Sequence, residues 1–219
     1  MSIKENLAEV RRHIPDHVEL VVVSKTMPVE KLMEVYDCGE RIFGENKVQE
    51  LILKQPLLPA DIHWHLIGHL QTNKVKYIAP FVHMIHSVDS LKLLEEINRQ
   101  AGRNHRVIPC LLQFHIAEEE TKFGLDEAEG TSLLAYLQHE YFPNIAIHGV
   151  MGMATYTYNI AQITREFRHL KQIFDQLKTT FFLDDPDFRH ISMGMSDDFE
   201  IAIDEGATLV RIGTLIFGE

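Results

Sequence analysis

Cysteine is scarce in this chain: Cys38 and Cys110 are the only two among 219 residues, and no motif surrounds either. Two isolated thiols exclude a disulfide framework and fit a reducing, cytoplasmic setting. Basic residues are also in deficit, with 21 Lys and Arg against 32 Asp and Glu, a formal net charge of −11. A field of that sign repels phosphate backbones, so general nucleic-acid binding is excluded, and only a local basic pocket is left open. No apolar run approaches the ~20 residues that span a bilayer. The opening residues Met1-Ser2-Ile3-Lys4-Glu5-Asn6 read as a polar helix start and lack the apolar core of a signal peptide. Linkers, internal repeats and low-complexity stretches are likewise missing.

What is present is a regular alternation of strand and helix signals. After a leading helix from about Ile3 to His13, candidate strands fall at 19–24, 41–44, 63–67, 84–88, 107–114, 146–151, 189–193 and 208–212. Between them, Val29, Leu32, Met33 and Tyr36 share a helical face that Gly39 closes. Leu93, Ile97 and Ala101 share another, with Gly102 expected as its stop. Ile160, Ile163, Phe167, Leu170, Phe174 and Leu177 form the longest amphipathic stripe. Periodicity is weakest at 56–61 and 71–79. Eight strands with intervening helices predict an α/β chain folded as a (β/α)8 TIM barrel with an extra N-terminal helix. At 219 residues the barrel leaves little room for anything else, so residues 1–219 are expected to form one domain.

In such a barrel the chemistry gathers where the strands end. Leu20-Val21-Val22-Val23-Ser24-Lys25 is an apolar strand that delivers an amine to that end. Desolvated there, Lys25 becomes a nucleophile able to form a Schiff base; a snorkelling surface lysine is the competing reading. Also expected at the mouth are Asn46, Gly68-His69, Ser87, His115, Met153, Ser192 to Ser196 and Arg211 to Thr214. The loops after strands seven and eight are the usual phosphate cradle of this fold. Gly213 would let backbone N–H groups approach an anion, and the Ser196 and Thr214 hydroxyls would add donors. Ser196 also reads as a plain helix N-cap, Gly213 as a turn glycine, and the neighbouring Asp197 and Asp198 would repel a phosphate unless turned outward. Arg211 stands within the apolar strand Leu209-Val210-Arg211-Ile212, where a charge needs an ion-pair partner or a ligand. A lysine amine, an anion cradle and an interior arginine together suggest pyridoxal 5′-phosphate. An arginine facing the pyridine nitrogen keeps its own proton and leaves the ring a weak electron sink, which favours carriage or racemisation.

These stretches resemble the pyridoxal phosphate homeostasis proteins, whose fold is similar to the barrel domain of alanine racemase. The matching segments are Val22-Val23-Ser24-Lys25-Thr26, Phe43-Gly44-Glu45-Asn46, the run from Trp64 to Lys74, and Ile85-His86-Ser87-Val88-Asp89. Glu120-Thr121-Lys122-Phe123-Gly124, Ser192-Met193-Gly194-Met195-Ser196 and Val210-Arg211-Ile212-Gly213-Thr214 complete an almost end-to-end match. The resemblance implies that Lys25 is the Schiff-base lysine and that Asn46 lines the cofactor face. It further implies that Ser196, Gly213 and Thr214 hold the phosphate, and that Arg211 lies beside the pyridine nitrogen. His115 departs from the Asn common in the family's fifth-strand motif. The function implied is buffering or delivery of the cofactor, with apo pyridoxal-phosphate enzymes as recipients, no physiological catalysis and a monomeric state. An amino-acid racemase is the enzymatic alternative, with Tyr156 or His115 as candidates for a second base. The chain ends at Phe217-Gly218-Glu219, directly after the eighth strand, where the racemases continue into a further domain; its absence is expected to disfavour that alternative. Thirteen histidines also raise a metal site built on His63, His65, His69 and His86, but no carboxylate or cysteine stands at a companion spacing. Glu118-Glu119-Glu120 reads as solvated surface, and Lys74, Lys76 and Tyr77 as a helix surface or an anion contact.

Overall fold

The computed structural model describes residues 2–118 and 123–218. The Glu120-Thr121-Lys122 part of one motif, and Glu119 and Glu120 of the acidic run, lie outside the described residues. The chain opens with α1 (Ile3–Arg12), fastened by a capping box in which Ser2 and Glu5 satisfy each other's backbone N–H. There follow β1 (Glu19–Val23), α2 (Val29–Asp37), β2 (Ile42–Glu45), α3 (Val48–Lys54), β3 (His63–Leu66), α4 (Val75–Ile78), β4 (Met84–Val88) and α5 (Leu91–Arg103). The second half comprises β5 (Ile108–Gln113), α6 (Glu127–Leu137), β6 (Ile145–Met151), α7 (Ile160–Phe181), β7 (His190–Ser192), α8 (Phe199–Asp204), β8 (Leu209–Ile212) and α9 (Thr214–Phe217). All eight expected strands form, within two residues of the expected ends. The weakly periodic segments hold short 3-10 turns at Gln55–Leu57 and Thr72–Lys74.

Each strand pairs in parallel with the next, and β8 pairs with β1 from Glu19↔Leu209 to Val22↔Ile212, closing the barrel in sequence order. Closure leaves no free sheet edge. It also explains the valine run in β1, since Leu20, Val21 and Val22 are buried whichever face they take. Burial of such a side chain contributes about 1.5–3 kcal/mol. Val22 packs outward with the helix layer, together with Leu32, Val35, Phe43, Phe167 and Leu170. Val21 packs inward with Met84, Leu111, Met151 and Leu209 as the apolar floor of the barrel. The extra helix α1 is tied to the last helix through Asn6 Nδ2, which donates to the Ile216 carbonyl at 3.1 Å.

One expected boundary is corrected. Gly39 does follow α2 with φ +104°, but Gly102 lies inside α5, which runs on to Arg103 and is capped by Asn104. The left-handed residue after that helix is His105, at φ +53°. Gly102 itself is helical and faces the Asn144 side chain. Among the described residues no helix is long and apolar enough to cross a membrane.

Candidate functional site

Strand β1 ends at Val23, and the next three residues turn over the rim. Thr26 adopts φ +64°, a left-handed conformation that a β-branched residue takes only under constraint. The constraint is a buried cluster that sequence reading missed. Lys54 Nζ, from the end of α3, donates to the Ser24 carbonyl at 2.7 Å and to Glu45 Oε1 at 2.6 Å. Ser24 Oγ donates to the same Glu45 oxygen at 2.8 Å, and Glu50 Oε2 accepts the Thr26 N–H at 2.8 Å. Both neighbours of Lys25 are thereby pinned. Burial pushes the Glu45 carboxyl above its usual range, and its hydrogen bonds to Lys54 and Ser24 offset this only in part. Glu45 and Lys54 gave no signal because one reads as part of a strand motif and the other as an ordinary last-turn cation.

Lys25 itself stands exposed at the rim. The expected desolvation of its amine is therefore corrected: the Thr26 turn carries the side chain out of the strand's buried environment.

The mouth holds a cavity of about 350 Å³ whose wall includes Lys25, Asn46, Ser196, Arg211, Gly213 and Thr214. Every residue expected from sequence to touch a cofactor thus faces one space, drawn from the ends of β1, β2, β7 and β8. Gly68, His69, Met153 and Asp197 join them, as do Ile67, Gln113 and Phe123, which had not been expected at the mouth. His69 stacks on Phe123 with ring centroids 4.4 Å apart and lies 3.3 Å from Asp89. Ser87 instead lies buried behind the wall, its hydroxyl donating to the Gly68 carbonyl at 2.7 Å. His115 is not among the side chains that line the cavity. Gln113 is the fifth-strand side chain on the cavity, and it donates to the Phe123 carbonyl at 2.8 Å. Tyr156, 75% exposed, lines an adjoining cleft of about 620 Å³ that shares Met195 and Asp197 with the mouth.

The two aspartates after Ser196 separate in role. Asp198 Oδ1 turns back to accept the Met195 N–H at 2.6 Å, whereas Asp197 remains exposed on the rim. Ser196 is not the helix N-cap, since α8 begins at Phe199 with Asp198 before it. Glycine at 213 is required by barrel closure: a Cβ there would stand 2.8 Å from the Val23 carbonyl oxygen.

Arg211 is buried, and among the described residues no carboxylate lies within ion-pair distance of it. Its Nη1 donates to Ser192 Oγ at 2.6 Å and its Nη2 to the Gly152 carbonyl at 3.2 Å. Burial lowers its pKa to about 10, offset only partly by the charge of Asp198. A cation so placed is a docking point for an electron-rich atom. Beneath it, Ser192 Oγ lies 2.9 Å from His86 Nδ1, and His86 Nε2 lies 2.9 Å from His65 Nδ1. Burial first, then neighbouring histidines and, for His86, Arg211, keep both imidazoles well below their ordinary pKa.

The four histidines considered as metal ligands are placed apart or paired with each other: His63 opens β3, His69 lies beyond its end, and His65 bonds directly to His86. Among the described residues no three His, Cys, Asp or Glu side chains are grouped to hold a metal ion. Lys76 Nζ sits 4.9 Å from the Tyr77 ring centroid, a local cation–π contact on the helix surface.

Fold and site together define a parallel (β/α)8 barrel with its polar apparatus gathered at the carboxyl ends of the strands. The chain belongs to the alanine racemase N-terminal domain family, whose family model matches residues 1–219. A pyridoxal phosphate homeostasis protein of Aquifex aeolicus is 43% identical over 202 residues, spanning 92% of this chain and 86% of that one. PipY of Synechococcus elongatus, solved without pyridoxal phosphate, superposes with a TM-score of 0.92 at 36% identity, covering 99% of this chain and all of that one. The same protein with pyridoxal phosphate bound gives a TM-score of 0.87 at 37% identity, again covering 99% of this chain and all of that one.

Proposed function

We propose that this chain binds pyridoxal 5′-phosphate in the mouth cavity and serves in its homeostasis, holding the cofactor in reserve and releasing it to apo-enzymes that depend on it. The observation that carries the reading is the convergence of an accessible amine, an anion-compatible loop pair and a buried guanidinium, with no carboxylate in ion-pair distance among the described residues, on one space of about 350 Å³. That volume lies at the small end of ligand sites, which run from roughly 300 to 1,000 Å³. Its relatives' names and the cofactor seen in PipY support the same reading.

Pyridoxal 5′-phosphate supplies an aldehyde that condenses reversibly with a primary amine, and Lys25 is the amine offered here. The Lys54–Glu45–Ser24 cluster fixes where that amine leaves the strand. Ser196 and Thr214 would donate hydroxyls, and Gly213 and its neighbours backbone N–H groups, to the phosphate. Asn46 would line one wall. Arg211 would keep its proton and donate to the pyridine nitrogen, which suits storage better than carbanion chemistry. Residues 1–219 would act as one cofactor-binding domain, in the cytoplasm and as a monomer. The unpaired Cys38 and Cys110 support a reducing compartment.

Borohydride reduction of protein loaded with pyridoxal phosphate, followed by peptide mapping, tests the reading. The expected product is a pyridoxyl group on the peptide holding Lys25. An adduct on another lysine, or none, overturns it. Efficient conversion of L-alanine to its enantiomer in deuterated water, lost in Lys25→Ala, would replace storage by racemisation.

A further inference from the structure

We propose that Ser192 and His86, backed by His65, are positioning residues that orient the Arg211 guanidinium through a one-way chain of hydrogen bonds. The inference rests on the reading of the mouth as a pyridoxal phosphate site and adds how its innermost wall is held.

A guanidinium has donors only, so Ser192 Oγ must accept from Arg211 Nη1 across their 2.6 Å contact. The Ser192 hydroxyl hydrogen is buried and needs an acceptor, and His86 Nδ1 at 2.9 Å is the partner in reach. His86 then carries its proton on Nε2 and donates to His65 Nδ1 at 2.9 Å. His65 in turn carries its proton on Nε2, which finds no partner among the described residues. The opposite direction would leave both the Ser192 hydrogen and the His65 Nε2 lone pair unmet. One orphan costs less than two, and each buried orphan costs about 1–3 kcal/mol.

The direction has a consequence at the mouth. Ser192, polarised by donating to His86, becomes a stronger acceptor for Arg211. With Nη1 on Ser192 and Nη2 on the Gly152 carbonyl, the plane of the guanidinium is fixed from behind. Two neutral imidazoles at the barrel centre can share a hydrogen bond without drawing the proton off Arg211. A mere filler role for His65 and His86 would require no particular tautomer and no link to the cofactor.

The test uses protein labelled with 15N at histidine, without cofactor, and long-range 1H–15N correlations at pH 7. Both His65 and His86 should be neutral with the proton on Nε2, and Ser192→Ala should displace the His86 Nδ1 resonance. In loaded protein, Ser192→Ala and His86→Leu should each raise the Kd for pyridoxal phosphate about tenfold, the loss of one charge-assisted hydrogen bond. Both should displace the visible absorbance maximum. His86→Asn, whose amide oxygen can accept from Ser192, should restore much of each readout. A proton on His86 Nδ1 overturns the chain, as does a Ser192→Ala protein that folds normally with wild-type Kd and spectrum. Should His86→Leu not fold, Ser192→Ala, which deletes one atom, still decides. Wild-type protein that takes up no pyridoxal phosphate would sink the functional reading instead, while the tautomer measurement stands independently.

Discussion

Replacing Lys54 by methionine tests whether the buried cluster beside Lys25 is an ion pair on which the fold relies. The change keeps most of the side chain's volume and removes one ammonium. It strips the Ser24 carbonyl of its 2.7 Å donor and leaves Glu45, fully buried, with Ser24 Oγ as its remaining partner. Breaking such a pair from one side costs about 3–5 kcal/mol. Protonation limits the penalty: neutralising a carboxyl of ordinary pKa near 4.3 at pH 7 costs about 3.7 kcal/mol. The expected loss is therefore about 3–4 kcal/mol at pH 7, shrinking by about 1.4 kcal/mol per pH unit toward pH 5 as Glu45 takes up its proton. Urea unfolding at pH 7, 6 and 5 measures both quantities. Lys54→Met combined with Glu45→Gln, which leaves no buried charge, should recover much of the loss and abolish its pH dependence. A deficit under about 1 kcal/mol, or one that does not change with pH, refutes the argument. Because the same cluster pins Ser24 and Thr26, Lys54→Met should also lower the yield of borohydride-trapped adduct on Lys25 at limiting cofactor.

Lys25→Ala should abolish that adduct while leaving the urea midpoint near wild type, since the side chain is exposed; a large midpoint shift would mean that Lys25 is structural. Arg211→Met should shift the visible absorbance of loaded protein, because the ring nitrogen meets a different neighbour, and an unchanged spectrum argues against that placement. Gly213→Ala should destabilise the barrel by about 1–3 kcal/mol, as its Cβ is driven against the Val23 carbonyl; calorimetry showing an unchanged Tm would contradict this. Burial lowers the His190 pKa to about 4 and holds His65 and His86 well below the ordinary value. An unfolded chain titrates near 6.5, so below that pH it binds protons that the native state refuses. Stability should thus fall as pH drops from about 6.5 toward 4, by up to about 1.4 kcal/mol per pH unit for each histidine kept neutral. Equal stability at pH 7 and pH 5 would count against neutral burial of the three.

The alternation of buried strands and amphipathic helices is local information. Period and composition dictate it, and all eight strands were legible from residues such as Val21, Trp64 and Leu209. That Lys25, Asn46, Ser196, Arg211, Gly213 and Thr214 share one cavity was legible too, because a barrel brings the ends of its strands together and each of the six lies at or near such an end. Gly102 was misplaced because a glycine can also sit within a helix: here the turn is made two residues on, by Asn104 as cap and His105 in the left-handed conformation. Glu45, Lys54 and His86 were missed as structural partners for another reason. Their signal is a distance between segments far apart in the chain, not a spacing within one.

The order of elements, the amine after the first strand and the arginine within the last are therefore properties of the sequence alone. Tertiary structure decided the rest: that Lys25 is exposed at the rim of the cavity, that Arg211 lies buried with no carboxylate within ion-pair distance among the described residues, and that a hydroxyl and two histidines stand behind it. The physical reason is that burial and hydrogen-bond partnership depend on all strands closing at once. A side chain's charge state and orientation are set by neighbours that closure supplies.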